Sequence, residues 1–334
     1  MSLSNHTVRR RLVTIPAVVV SAVVLTITLP LWLIGGALID LVHRRFRFPI
    51  ARLLIFAVCW AWLEAAGVGA AFALWVIGQG KNHRAHYRLQ RWWATNLLRA
   101  LGPTCGIRVS AENAQALVPG PVLLFVRHAS LADSLVSAYV TSHLGHLQPR
   151  YVLKRELLMD PCLDVVGQRI PNYFLDRGAN DSAPELAAIE RLTSTLGPTD
   201  VAIIFPEGTR SNPAKRAAAL TRLRERDAQR AQVGERLQHL LPPRPGGALA
   251  MRQGCPAADI VLAWHVGFEG LDTFGGILRG VQRGIRPIRF VASRVPSADI
   301  PHNAAEFATW LDQRWLEMDE AVGSALAIGS ERIT

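Results

Sequence analysis

A histidine and an aspartate stand where a predicted strand passes into a predicted helix. The apolar residues 121–126 are typical of a buried strand, and His128 and Asp133 follow them. On one continuous helix, five residues separate two side chains by about 140°, so this pair meets only if the chain turns between them. A carboxylate bonded to one imidazole nitrogen leaves the other as a general base for a hydroxyl. The pattern Ser130-x-x-Asp133 also fits a capping box, in which the carboxylate only stabilises a helix N-terminus.

A second polar group follows another predicted strand, residues 201–205. The turn after it brings four residues to the carboxyl end of that strand, where ligands of α/β sheets bind: Glu207, Gly208, Thr209 and Arg210. Two further cations, Lys154 and Arg177, follow the predicted strands 151–153 and 173–175. An arginine can hold a phosphate by two hydrogen bonds. Such strand ends on one sheet predict a positive crevice for an anionic substrate.

Short β-branched runs alternate with helical segments after residue 80. The predicted strands are 107–109, 122–126, 151–153, 173–175, 201–205, 260–268 and 288–291. The predicted helices include 84–101, 134–144, 184–196, 215–240 and 304–322. This alternation predicts an α/β layered domain, with a mostly parallel sheet flanked by helices.

Two long apolar segments precede this domain. Residues 12–39 carry no charge, and residues 53–78 are interrupted only by Glu64. Each is long enough to cross a bilayer as a helix, and the first is too long for the apolar core of a cleavable signal peptide. Basic residues flank every boundary, so the hairpin either spans the bilayer with both termini cytoplasmic or dips into one leaflet. We therefore predict a membrane-anchoring hairpin at residues 1–80 and one globular domain at residues 81–334.

Composition excludes several protein classes. The 334 residues are 50% hydrophobic and 19% charged, which excludes a disordered, collagen-like or disulfide-scaffold protein. The net charge of +11 indicates an anionic partner: nucleic acid, membrane head groups or a phosphorylated substrate. Four widely spaced cysteines without C-x-x-C pairs argue against zinc, and we predict no metal. The absence of a G-x-S-x-G elbow from the sequence argues against a serine hydrolase.

Three motifs together resemble the glycerolipid acyltransferase family, which includes the lysophosphatidic acid and lysophospholipid acyltransferases. They are His128-x-x-x-x-Asp133, Phe174-x-x-Arg177 and Phe205-Pro-Glu-Gly-Thr-Arg-Ser211, in that order. The segments 152–157 and 241–248 are also similar to the family, the second to the branch that contains lysocardiolipin and some lysophosphatidate acyltransferases. The resemblance covers roughly residues 120–270. The family's first motif often has asparagine before the histidine, where this chain has Arg127.

The resemblance implies transfer of a fatty acyl group from acyl-CoA or acyl carrier protein to the free hydroxyl of a lysophospholipid. The expected acceptor is 1-acyl-sn-glycerol-3-phosphate, which would give phosphatidic acid. It implies that His128 is the general base and that Asp133 orients it. The residues implied to hold the acceptor and its phosphate are Arg177, Glu207, Gly208, Thr209, Arg210 and, less directly, Lys154. We expect membrane lipids as partners, no nucleic acid and no cofactor apart from the acyl donor.

Other interpretations remain open. The protein could remodel another lysophospholipid, or use the same dyad to activate water as a lipid or thioester hydrolase. Its charge also fits a membrane-anchored protein that binds lipid or nucleic acid without catalysis. The arginine-rich segment 215–240 is either a solvated face or a docking surface for anionic lipid or an acidic carrier protein. Abundant alanine and arginine indicate a GC-rich bacterial genome. We therefore predict an integral protein of the bacterial cytoplasmic membrane, with its catalytic domain on the cytosolic side.

Overall fold

The computed structural model describes residues 5–130, 132–176, 183–271 and 273–331. The helices in these ranges are α1 (Asn5–Val42), α2 (Pro49–Val76), α3 (His83–Cys105), α4 (Asp133–Tyr139), α5 (Pro161–Val165), α6 (Ala183–Thr193), α7 (Pro213–Arg226), α8 (Ala228–Glu235), α9 (Pro245–Gly254), α10 (Phe274–Arg283) and α11 (Ala304–Glu331). The strands are β1 (Val109–Glu112), β2 (Val122–Val126), β3 (Gln148–Lys154), β4 (Tyr173–Leu175), β5 (Asp200–Ile204), β6 (Asp259–Val266) and β7 (Ile288–Val295).

The strands form one seven-stranded sheet in the order β1-β7-β6-β2-β5-β3-β4. The pairs β1–β7, β6–β2, β2–β5 and β5–β3 are parallel, whereas β6 and β7 are antiparallel. Helix α9 packs on β2 and β5, and α11 packs on β6. The predicted α/β architecture with a mostly parallel sheet is confirmed. Six of the predicted strands are present, and the first, predicted at 107–109, is shifted to Val109–Glu112.

The chain divides into two compact units. The first comprises Met1–Arg108, Leu153–Asp176 and Gly270–Pro287, and the second comprises Val109–Val152, Arg177–Glu269 and Ile288–Thr334. The first contains helices α1, α2, α3, α5 and α10, and the second contains β2, β5 and β6. The division proposed from the sequence, an anchor at 1–80 and a domain at 81–334, stays a prediction.

The central strands of the sheet are buried on both faces, which explains why the sequence pattern predicted them. Every residue of β2 and β5 is buried, and strands covered on both faces read as continuous apolar runs. Strand β2 lies between β5 and β6, with Leu124 opposite both Ile203 and Val261. Because these three strands are parallel, their carboxyl ends meet at one edge of the sheet. The chain leaves that edge at His128, after β2, and at Glu207, after β5.

The predicted single helix over residues 215–240 is wrong. Asp227 ends α7 and begins α8, because its carboxylate accepts the backbone N–H of Arg230 as an N-cap. Beyond α8, the backbone N–H groups of residues 238–240 donate to the carboxylate of Asp319 on α11. These bonds compete with helical ones, so the chain turns away and buries Leu240. Helices α9 and α10 were not predicted.

In the first unit, α1 and α2 form a hairpin of two helices. Both are long and apolar enough to cross a membrane, judged by length and composition alone. Large apolar side chains remain exposed on both helices, among them Leu12, Ile27, Leu31, Trp62, Phe72 and Trp75. Near the start of α1, Arg10 and Arg11 form ion pairs with the fully buried Asp164 of α5, at 2.8 and 3.1 Å.

Helix α3 lies antiparallel beside α2. Arg52, near the start of α2, donates to the carbonyl of Thr104 at the end of α3, at 2.6 Å. Towards the other end, Ala71 of α2 and Leu89 of α3 share one apolar cluster. Between them the buried Glu64 accepts hydrogen bonds from the Trp93 indole, at 3.0 Å, and the Cys162 backbone, at 3.1 Å. Glu64 therefore stabilises helix packing within this unit.

Candidate active site

The backbone of His128 is fixed by the neighbouring β5 loop. Its N–H donates to a carboxyl oxygen of Glu207 at 2.7 Å, and its carbonyl accepts the N–H of Ser211 at 2.8 Å. On the other side, the Arg127 N–H donates to the carbonyl of Ala263 on β6 at 2.9 Å. These bonds continue the sheet beyond the last residue of β2. His128 therefore stands on the rigid edge of the sheet.

The predicted pairing of His128 with Asp133 is present. The chain turns after β2, and His128 Nδ1 lies 2.7 Å from Asp133 Oδ2. The same oxygen accepts the backbone N–H groups of Ala129 and Ser130, at 2.7 and 2.9 Å. The capping box that the sequence suggested is not formed, because α4 begins at Asp133 with Ala132 as its N-cap, and Ser130 lies in the turn before it. Asp133 therefore holds both the turn and the imidazole.

Asp133 also faces a second histidine. His265, near the end of β6, places Nε2 3.0 Å from Asp133 Oδ1, in a close polar contact that is not an aligned hydrogen bond. Burial alone would raise the pKa of the Asp133 carboxyl, but the nearby rings of His265 and His128 hold it well below its usual range. Asp133 is therefore ionised at neutral pH.

Glu207 has the opposite electrostatic state. Its carboxyl is buried and accepts the backbone N–H groups of His128, at 2.7 Å, and Leu241, at 2.9 Å. Burial nevertheless raises the pKa of Glu207 to about 8, so the group is mostly protonated at neutral pH. Each carboxyl oxygen of Glu207 thus accepts one backbone N–H group and holds two separate segments of the chain together. Its role in acceptor binding stays a prediction.

The rest of the β5 loop is ordered by a glycine and a lysine. Gly208 has a φ of +71°, a backbone conformation that favours glycine, and a Cβ there would lie 3.4 Å from three atoms of the Arg244 side chain. The Lys215 ammonium donates to Thr209 Oγ1 at 3.1 Å and to the carbonyl of Arg210 at 3.4 Å. Two cationic side chains from outside the loop, Lys215 of α7 and Arg244, therefore lie against it.

The predicted site residues divide by location. In the second unit the structure gathers six of them around the ends of β2 and β5: His128, Asp133, Glu207, Gly208, Thr209 and Arg210. Lys154 is half-buried at the end of β3, in the first unit. Arg177 lies outside the described residues. Within the described ranges, no group of three or more His, Cys, Asp and Glu side chains could hold a metal ion.

Comparison with known proteins assigns the family. Residues 107–261 match the family model described as Acyltransferase. These residues belong to the acyltransferase family. The match spans both the His128–Asp133 pair and the β5 loop, and it confirms the resemblance that the three motifs indicate. No curated protein matches the chain.

One solved structure similar to this chain is the 1-acyl-sn-glycerophosphate (LPA) acyltransferase PlsC from Thermotoga maritima. The two sequences are 15% identical, and the alignment covers 78% of this chain and 95% of that chain with a TM-score of 0.44. The reaction named there is that of the Thermotoga protein.

Sequence reasoning missed His265 and did not show what Arg127 contacts. His265 interrupts the apolar run of β6, a signal that a polar group enters the core. Arg127 stands where the family often has asparagine. Its guanidinium is buried, donates to the carbonyl of His265 at 2.5 Å and lies 3.5 Å from Glu269. It therefore contacts β6.

Proposed function

We propose that this protein is a membrane-bound O-acyltransferase that moves a fatty acyl group from a thioester donor to the free hydroxyl of a lysophospholipid. The observation that carries the proposal is His128 Nδ1 held 2.7 Å from the ionised Asp133, at the edge of the sheet. This arrangement directs Nε2 to the acceptor, and no partner occupies that nitrogen among the described residues. The acyltransferase family assignment of residues 107–261 supports the reaction class.

In this mechanism His128 Nε2 takes the proton of the acceptor hydroxyl as its oxygen attacks the thioester carbonyl. The imidazolium that forms is stabilised by Asp133, which itself stays ionised. The tetrahedral intermediate then collapses, the carbon–sulfur bond breaks, and the leaving thiolate receives the proton from His128. The products are an ester and a free thiol, and the histidine is restored.

The proposed acceptor is 1-acyl-sn-glycerol-3-phosphate, and the product is phosphatidic acid. Cationic residues at the β5 loop support an anionic acceptor, because Arg210 belongs to the loop and the Lys215 ammonium of α7 donates to Thr209. Arg177 and Lys154 remain proposed phosphate ligands, and Glu207 and Gly208 remain proposed parts of the acceptor site. The donor is acyl-CoA or acyl carrier protein, with no other cofactor.

We place the α1–α2 hairpin in one leaflet of a bacterial cytoplasmic membrane, with the catalytic residues on the cytosolic side. Helix α3 lies beside α2 and exposes Arg84, Arg88 and Arg99. If α2 crossed the bilayer, α3 would carry guanidinium groups into the hydrocarbon, at about 2.5–3.5 kcal/mol for each charge at the centre. An in-plane hairpin leaves these groups near the head groups and buries the exposed apolar faces of α1 and α2.

A labelling experiment tests this placement. His43→Cys puts a thiol in the exposed turn between α1 and α2. In one leaflet, the turn reacts with a membrane-impermeant maleimide only in inverted vesicles. Labelling of the variant in intact spheroplasts, beyond that of the wild-type cysteines, would contradict the placement.

Transfer of radiolabelled acyl-CoA to lysophospholipids tests the reaction. We expect acceptor-dependent product from the wild type and from His302→Ala, which changes an exposed histidine, but not from His128→Ala. A panel of head groups identifies the acceptor, and a preferred acceptor other than the glycerol phosphate would make the protein a remodelling enzyme. Thioester consumption that is equal without acceptor would indicate a hydrolase. Equal product from wild type and His128→Ala would remove the role of His128.

A further inference from the structure

We infer that His265 is a positioning residue that acts through Asp133 on the base His128, an inference that rests on the proposed acyl transfer. His265 lies 137 positions from His128 in the chain, and β6 brings its Nε2 to 3.0 Å from Asp133 Oδ1. Asp133 Oδ2 already faces three N–H donors. The two histidines thus approach opposite oxygens of one carboxylate.

The position of His265 is fixed by the sheet. Strand β6 pairs with β2, where Val126 lies opposite Ala263, and with β7, where His265 lies opposite Phe290. The buried Arg127 donates to the His265 carbonyl at 2.5 Å and holds the end of β6 against the end of β2. A residue held by two strands and a buried guanidinium has little freedom to move away from Asp133.

The surroundings of His265 explain why its ring points at Asp133. The side chain is fully buried, and the ring of Phe268 meets it edge-on with 5.4 Å between ring centroids. Its Nδ1 atom has no hydrogen-bond partner among the described residues. The polar contact that the ring makes in this pocket is the one to Asp133. A buried polar ring with one polar contact is costly to keep for packing alone, because an apolar ring would fill the same space.

This contact has two physical consequences for the base. It restrains rotation of the carboxylate, whose Oδ2 must stay on the line of His128 Nδ1. It also draws negative charge towards Oδ1, so Asp133 attracts the proton of His128 less strongly than an unrestrained carboxylate would. A base that releases its proton more readily can pass it to the leaving thiolate. Removing His265 should therefore misalign His128 and move its titration to higher pH.

The other charged groups near His128 and Asp133 do not change the expected effect of His265 on the titration of His128. Glu207, which accepts the His128 backbone N–H, is mostly protonated below pH 8 because burial raises its pKa to about 8. Arg127 faces the His265 carbonyl and Glu269. Measurements between pH 5 and 7 therefore leave about nine-tenths or more of Glu207 protonated, so its charge changes little over that range.

Three variants of the full chain in detergent separate positioning from packing. His265→Phe keeps a ring but removes the polar nitrogen, whereas His265→Gln restores an amide donor at similar reach. Phe268→Leu alters the packing of the His265 ring but keeps both histidines. Thermal unfolding of each variant checks that it is folded.

The first readout needs no acyl transfer. Diethyl pyrocarbonate modifies neutral imidazole, so its pH-dependent reaction at the His128 peptide, followed by mass spectrometry, reports when His128 loses its proton. The exposed His302 is the internal reference. We expect the midpoint in His265→Phe to rise by about half a pH unit, with His265→Gln and Phe268→Leu close to wild type.

The second readout is acyl-transfer kinetics. In His265→Phe we expect kcat to fall about 10- to 100-fold with little change in KM, and the acid limb of its pH profile to move up with the modification midpoint. His265→Gln should recover most of kcat. An unchanged midpoint in folded His265→Phe, or an equal loss in His265→Gln and Phe268→Leu, would overturn the inference. If the wild type transfers no acyl group, the proposed function fails, while the modification midpoint still decides whether His265 acts on His128.

Discussion

The substitution Asp133→Asn isolates the charge that the site places beside His128. The asparagine keeps the shape of the side chain, and its amide oxygen can still accept the backbone N–H groups of Ala129 and Ser130. What disappears is the negative charge that faces His128 at 2.7 Å and His265 at 3.0 Å. The variant therefore separates the electrostatic role of Asp133 from its role in the turn.

The expected loss follows from the distance between the two groups. At an effective dielectric constant of about 20, unit charges 2.7 Å apart attract each other by about 6 kcal/mol. If the proton is about half transferred in the transition state, the lost stabilisation is about 3 kcal/mol, or a factor of about 100 in kcat. The amide can also favour the wrong imidazole tautomer, which extends the expected loss to between about 10² and 10⁴.

Acyl-transfer kinetics and thermal unfolding together test this reasoning. We expect Asp133→Asn to lose kcat at nearly unchanged stability, whereas Asp133→Ala also leaves two backbone N–H groups without their acceptor, at about 1–3 kcal/mol for each that stays buried. The double variant with His128→Gln should lose no more than His128→Gln alone, because the two residues act as a unit. A folded Asp133→Asn that keeps more than a tenth of wild-type kcat would refute the role of the charge.

Three further changes test stability. Burial raises the pKa of Glu207 to about 8, so its contribution to stability is complete below about pH 4.5 and is lost as pH rises through 8. The Tm of the wild type should therefore fall relative to that of Glu207→Gln between pH 5 and 9. Parallel curves of Tm against pH for the two proteins would contradict this. Gly208→Ala should lower stability by about 1–2 kcal/mol because φ is +71°, whereas the helical control Gly246→Ala should not. Asp164→Asn leaves two half-buried arginines without their carboxylate and should cost about 3 kcal/mol or more, which an unchanged Tm would disprove.

Burial on both faces made the strands predictable from sequence. Strand β2 was predicted to the residue because all five of its side chains are buried and apolar. The break at Asp227 was missed because the helical pattern continues through it. The turn after α8 depends on Asp319, about 80 residues further along the chain. A local pattern contains no information about such a distant carboxylate.

The same distinction holds for the site. His128 and Asp133 are five residues apart, so their types and spacing already suggested a pair, and the turn between them brings Nδ1 and Oδ2 together. His265 reaches the same carboxylate only through the register of β6 against β2. A single histidine in an apolar strand has no sequence partner that would reveal its role.

Arg127 and His265 are linked by a hydrogen bond and act together in the structure. A buried guanidinium needs acceptors, and the end of β6 supplies one in the His265 carbonyl at 2.5 Å. That bond fixes the backbone from which the His265 ring reaches Asp133. The arginine before the base is therefore tied to the second histidine, and the groups that contact Asp133 come both from the turn after β2 and from β6.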